Sequence, residues 1–199
     1  GNTTSRNNSA TSAGVNDEVY TFGNTDAGTT ANTGEVLDSM QAAWTALANT
    51  MAFERNGATA TRLVGGRVLI AGGSFASGVT GEIFDPAAGT FSAVGSMVTD
   101  RAFHRATPLI DGRVLITGGE DGSGNPINAA EIFTPGTNTF AAASENMDSA
   151  RAGHGAVRLP NGRVLVVGGS TDSTGTLTGS IEMFRPGTDD FTPAGELNM

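Results

Sequence analysis

Four arginines, Arg6, Arg55, Arg101 and Arg151, each stand 17 residues before a glycine: Gly23, Gly72, Gly118 and Gly168. Three of these glycines open a Gly-Gly pair, and the first reads Gly23-Asn24. A glutamate follows in each copy: Glu35, Glu82, Glu131 and Glu182. Two residues beyond it comes an apolar residue (Leu37, Phe84, Phe133, Phe184), and seven further an aromatic one (Trp44, Phe91, Phe140, Phe191). The separation between glycine and glutamate varies as 12, 10, 13 and 14 residues. Two blocks of rigid spacing joined by a segment of variable length describe fixed backbone pieces linked by an exposed loop. A period of roughly 50 residues containing several short strands is the signature of a propeller.

The blocks themselves support strands. In the second copy, 58–63 alternates, Gly65-Gly66 turns, and 67–71 (RVLIA) is a continuous apolar run, as expected of a strand buried on both faces. Residues 82–84 and 91–94 supply a third and fourth strand around the turn Asp85-Pro86-Ala87-Ala88-Gly89, where proline presets φ and glycine accepts a positive φ. Copies three and four repeat the scheme, with Asp111-Gly112 and Asn161-Gly162 as two-residue hairpin turns. The first copy is worn. It predicts strands at 9–13, 17–22, 35–37 and 43–46, with one helical turn near 37–43. The exposed variable loops fall at 25–33, 120–128 and 170–180. With 29 glycines, 7 prolines and 16% charged residues, the composition suits tight turns between short strands better than helices.

The pattern M-x-x-x-R-x-x-H-x-A-x-x-L-x-x-G-R-V-L-x-x-G-G, followed by E-x-F-x-P-x-x-x-x-F, resembles the kelch repeat of galactose-oxidase-like propellers. The resemblance covers essentially the whole chain. It implies an all-β, kelch-type β-propeller spanning 1–199, with four repeats of four antiparallel strands and blades at about 1–50, 51–96, 97–146 and 147–199. Kelch propellers usually have six or seven blades. Four blades can close alone, two chains can build one ring, or the chain can be part of a longer array; a partner chain or further blades is the preferred expectation. Chain start Gly1 carries no initiator Met, which implies processing, a tag remnant or a cut from a longer chain.

The family likeness also invites a test for copper-radical chemistry, which in that family uses a tyrosine cross-linked to cysteine, a second tyrosine and two histidines. This chain has no cysteine and one tyrosine, Tyr20, so the resemblance stops at the propeller. No G-x-S-x-G and no P-loop is present either. The acidic pairs Asp189-Asp190 and Glu120-Asp121 lie in turn sequences, where adjacent acids are usually solvated. The expected class is therefore a non-catalytic binding or scaffold module for a protein or glycan partner. A self-assembling structural subunit is one alternative. The propeller part of a secreted oxidase or hydrolase, with catalytic residues elsewhere, is another.

Candidate contact residues are Arg55, Arg101, Arg151, His104 and His154, expected near the mouth of the central channel. The arginines also admit a structural reading, in which each blade ties its first strand to its third through an Arg–Glu pair or donates to carbonyls at a blade junction. His104 and His154 occupy equivalent places in neighbouring blades, where the other copies have Ala58 and Ser9. Two histidines without cysteine fall short of a metal set. No cofactor is expected, apart from a Ca²⁺ option at the oxygen-rich loop of Glu120 and Asp121.

The net charge is −9, lysine is absent, and seven of the 11 arginines hold repeat positions. That leaves no basic patch for nucleic acid. No apolar run is long enough to span a membrane as a helix. An extracellular or cell-envelope address is expected from the absence of lysine and the Thr, Ser, Asn and Gly content; Asn2 and Asn7 open glycosylation sequons, meaningful only in a eukaryotic secretory setting. Homo-oligomerisation is expected if the blades do not close.

Overall fold

The computed structural model describes residues 9–14, 17–23, 31–38, 40, 43–73 and 80–198. Sixteen strands form four antiparallel four-stranded sheets, and no helix occurs among the described residues. Blade 1 comprises β1 (Ala10–Ala13), β2 (Glu18–Phe22), β3 (Gly34–Asp38) and β4 (Ala43–Ala46). Blade 2 comprises β5 (Thr59–Arg62), β6 (Val68–Ala71), β7 (Gly81–Asp85) and β8 (Thr90–Ala93). Blade 3 comprises β9 (Arg105–Pro108), β10 (Val114–Thr117), β11 (Ala130–Thr134) and β12 (Thr139–Ala142). Blade 4 comprises β13 (Gly155–Arg158), β14 (Val164–Val167), β15 (Ser180–Arg185) and β16 (Asp190–Glu196). Within each sheet the strands follow sequence order, so every connection is a hairpin. This is a propeller architecture of four blades. The helical turn expected at 37–43 does not form where it can be seen: Leu37 and Asp38 end β3 and Ala43 opens β4, while residues 39, 41 and 42 lie outside the described set.

Blades 2 and 3 each turn one apolar face to the preceding blade and the other to the next. Three cores result. Tyr20 and Phe22 of blade 1 meet Val68, Ile70 and Phe84 of blade 2. Leu69, Ala71 and Ile83 of blade 2 meet Val114, Ile116, Phe133 and Phe140 of blade 3. Leu115, Ala130 and Ile132 of blade 3 meet Val164, Val166, Phe184 and Phe191 of blade 4. The continuous apolar runs of β6 and β10 are buried throughout because both faces are covered. The repeated phenylalanines pair across neighbouring strands, with ring centroids 4.8 Å apart for Phe84–Phe91 and Phe133–Phe140 and 5.1 Å for Phe184–Phe191. Met51, Met97 and Met147 each fill the core at the junction they open.

The innermost strands pack in the order β1, β5, β9, β13. Packing of that extent does not join β13 to β1 among the described residues. Trp44 on blade 1 is 37% exposed and Val157 on blade 4 is 54% exposed.

The Gly-Gly pairs explain themselves at the junctions. A Cβ on Gly72 would stand 2.6 Å from the Arg101 carbonyl oxygen, and one on Gly118 would stand 2.3 Å from that of Arg151. Both glycines also hold positive φ, so two constraints select the same residue. Replacing Phe133 by Ala, at the centre of the second core, is expected to cost about 3–5 kcal/mol in urea unfolding. Trp44→Ala, on an open face, should cost clearly less; equal losses would contradict the packing described.

Candidate functional site

The repeated arginine lies just ahead of the innermost strand, in the segment that crosses from one blade to the next. Its backbone belongs to the junction: Arg55 N–H donates to the Ala31 carbonyl of blade 1 (3.0 Å), and Arg151 N–H to that of Ile127 in blade 3 (3.1 Å). Its guanidinium reaches back into its own blade. Arg101 Nη1 donates to the carbonyls of Gly118 (3.0 Å) and Ala129 (2.8 Å), and Nη2 donates to Glu131 Oε1 (2.7 Å). Arg55 and Arg151 repeat this with Gly72 and Glu82, and with Gly168 and Glu182. The carboxylate has a second task. Glu131 accepts the N–H groups of Val98 and Thr99, Glu182 those of Asp148 and Ser149, and Glu82 that of Ala52. One ion pair thereby fastens the second strand, the third strand and the crossing segment together. The expected Arg–Glu pairing is present in blades 2, 3 and 4. It starts from the crossing segment rather than from the first strand, and Arg6 lies outside the described residues.

Arg55, Arg101 and Arg151 are at most 1% exposed, as are His104 and His154. The five residues expected at a channel mouth are thus buried between and within blades in this structure. Burial draws the Arg55 and Arg101 guanidiniums below their usual range, while their glutamates act in the opposite sense. The histidines are inter-blade struts. His104 Nε2 shares a hydrogen bond of 2.8 Å with Thr59 Oγ1 of blade 2, and His154 Nε2 one of 2.9 Å with Thr117 Oγ1 of blade 3. Desolvation and then the neighbouring arginine charge push both imidazoles down, His104 well below its ordinary value and His154 to about 3. Both are therefore neutral at physiological pH.

Among the described residues no three His, Asp or Glu side chains gather as a metal set. In the loop of the Ca²⁺ option, Asp121 Oδ1 accepts N–H bonds from Ser123 (2.8 Å) and Asn125 (2.9 Å) of its own turn, and these hold its carboxyl below the usual range. Glu120 exchanges backbone hydrogen bonds with Ala102. Asp172 closes the next loop in the same way, accepting from Thr174 and Thr176.

Among the described residues, a groove of about 220 Å³ runs along the innermost strands of blades 1 to 3. Its polar lining is Ser9, Thr11, Thr59, Thr61 and Arg105. Arg105 is exposed, and its Nε donates to the His154 carbonyl (2.6 Å), which braces the side chain across a blade boundary. The repeat pattern passes over this residue because its equivalents are Thr59 and Gly155. The available signal was that difference: a charged residue at a place the other copies leave uncharged.

No protein-family model matches the chain, and no curated protein matches it. Solved structures do. One is described as a fungal alcohol oxidase of the AA5 family in complex with copper; it is 21% identical, with a TM-score of 0.59 over 96% of this chain and 53% of that one. Another is YjhT, 15% identical, with a TM-score of 0.74 over 96% of this chain and 66% of that one. At these identities the likeness concerns the fold, a propeller. The chain spans about half the length of the first and just under two thirds of the second.

Two outcomes test the site's energetics. Arg101→Met strands the Glu131 carboxylate in the interior and is expected to cost about 3–5 kcal/mol by denaturant unfolding. For the histidines, the folded state binds the proton more weakly than the unfolded chain. Their contribution is complete above the ordinary value near 6.5 and is lost as pH falls from there towards about 3 for His154. The melting temperature should therefore drop between pH 7 and pH 4 more steeply in the wild type than in a His104→Asn/His154→Asn variant.

Proposed function

We propose that this chain is a kelch-type propeller module that binds and presents rather than catalyses, with a glycan or a protein segment as its partner and an extracellular or cell-envelope setting. The observation that carries the reading is the groove of the innermost strands. It offers the exposed Arg105 guanidinium and the Thr11 hydroxyl in a cleft of about 220 Å³. Those are groups suited to sugar hydroxyls and to a carboxylate. The reading is further supported by how the repeated charges are used: Arg55, Arg101 and Arg151 are engaged by Glu82, Glu131 and Glu182. A ligand seldom contacts all blades alike, so a contact is better sought at a residue that does not repeat.

The likeness to an alcohol oxidase supports a second reading, that this is the propeller part of a larger enzyme whose reacting groups lie elsewhere. The groove reading is tested by measuring binding to neutral and uronic-acid oligosaccharides for the wild type and for Arg105→Ala. Acidic sugars should bind, and the substitution should weaken them at least about tenfold, since a hydrogen bond to a charged group contributes roughly 1.5–3 kcal/mol. Binding that survives Arg105→Ala, or no binding to either class, would remove the groove as the contact.

A further inference from the structure

Among the described residues, four that are not glycine hold a positive φ: Asp17, Phe103, Asn138 and Asp189. Aspartate and asparagine visit the left-handed region readily, because their short polar side chains bond to nearby backbone. Phenylalanine does not: its Cβ crowds the carbonyl, and its ring brings no compensating hydrogen bond. Phe103 stands two residues after Arg101, with φ at 55°. The same position after Arg55 and after Arg151 is glycine, Gly57 at φ 72° and Gly153 at φ 64°. The equivalent after Arg6, Asn8, lies outside the described residues. Blade 3 therefore keeps the backbone of the repeat and places a large ring where blades 2 and 4 have no side chain.

Core packing does not account for the exchange. Phe103 belongs to none of the three cores and stays half-buried. Its N–H donates to the Gly57 carbonyl (2.7 Å), and its ring lies against Gly57, where a Cβ would stand 2.8 Å from Cδ1 and Cε1 of that ring. This contact sets the ring beside the groove. Gly57 is followed by Ala58 and Thr59, which line the groove, and Phe103 lies two residues ahead of Arg105, which lines it too. Two departures from the repeat thus fall together where Ala58 and Arg105 enter one cleft: a phenylalanine in place of glycine, and an arginine in place of Thr59 or Gly155. Backbone strain retained where the core does not need it is characteristic of binding sites.

The rest of the lining is small. Ala58, Ala60 and Ala106 border the groove, so no second bulky side chain divides it beside Arg105. An aromatic ring and a guanidinium on a shallow floor suit a rigid unit with one apolar face and one anionic edge. A pyranose uronic acid is such a unit: its C–H face lies on the electron-rich face of the ring, and its carboxylate accepts from the guanidinium. An acidic peptide brings its carboxylate on a flexible stem, without a matching flat face. We propose that Phe103 is a stacking platform which, together with Arg105, makes the groove a site for an acidic sugar. The inference rests on the groove reading given above and adds to it the residue that selects a sugar ring over other carboxylates.

The test is calorimetric titration with a galacturonic-acid trisaccharide, its neutral galactose counterpart and a triglutamate peptide. It compares the wild type with Phe103→Gly, Phe103→Leu, Phe103→Tyr and Arg105→Ala, and each protein is also melted. The wild type should prefer the acidic trisaccharide to the other two. Phe103→Leu keeps the strained backbone and an apolar side chain but loses the flat ring, so affinity should fall about tenfold, while Phe103→Tyr should stay within about twofold. Phe103→Gly separates the two roles of the ring. It restores the residue used by blades 2 and 4, so the melting temperature should hold or rise while affinity falls about tenfold. A melting temperature lowered by more than about 4 °C with affinity unchanged would make the ring a structural plug and overturn the proposal. Binding lost in Arg105→Ala but untouched in Phe103→Gly and Phe103→Leu would overturn the platform and leave the groove reading standing. No binding of the acidic trisaccharide to the wild type would remove both, and equal binding of triglutamate would overturn the choice of a sugar.

Discussion

The buried Arg–Glu pair at each junction is the constraint from which the other regularities follow. A guanidinium and a carboxylate withdrawn from water are tolerable only when their hydrogen-bonding capacity is largely met nearby. Here the arginine spends its donors on two carbonyls and one carboxylate, and the carboxylate accepts from the crossing segment. The geometry that meets these demands fixes the distance from arginine to glycine and the register of the third strand. That accounts for the invariance of these spacings across copies while the loop between glycine and glutamate changes length. A pair of this kind specifies arrangement more than it adds net stability.

Around that joint the blades stack by one asymmetric contact used three times. At the second and third junctions a face of leucine, alanine and isoleucine meets a face of valine, isoleucine and phenylalanine; at the first, Ala10, Tyr20 and Phe22 hold the former side, and a methionine from the crossing segment fills every seam. The contact has a direction, so a stack of such blades has two unlike ends. On blade 4 the face that matches the leucine-bearing face of blades 2 and 3 carries Val157, Val167 and Ile181, the first exposed and the other two half-buried.

The same economy separates scaffold from variation. Residues that repeat are committed to carbonyls, carboxylates and cores. Even the two histidines, which do not occur in all copies, serve as struts to threonines of the preceding blade. What differs between blades is found on the innermost strands and in the loops: Arg105 among uncharged equivalents, and the aspartate-closed turns at Asp121 and Asp172. Those are the places where this stack has individual character on a shared frame.

Much of this was legible from the residues in order. Strand count, hairpin turns and the blade period follow from alternation, Gly and Pro placement and the recurrence of five marker positions. The partnership of Arg101 with Glu131 was readable from their shared phase, because groups kept at fixed spacing in every copy are held by fixed geometry. What the order of residues could not reveal is which groups from different repeats meet. The bridge from Arg113 to Asp189 spans 76 positions, and the Thr59–His104 bond joins side chains 45 positions apart in neighbouring blades. Sequence by itself determined the unit, since local propensity and burial pattern act within about fifty residues. Only tertiary structure decided that Arg55, Arg101 and Arg151 lie beneath the surface, that Arg105 lines the groove, and that His104 and His154 bond threonines of the preceding blade. Those outcomes depend on how one sheet seats on the next, and that is set by the summed shape of two faces rather than by any residue within them.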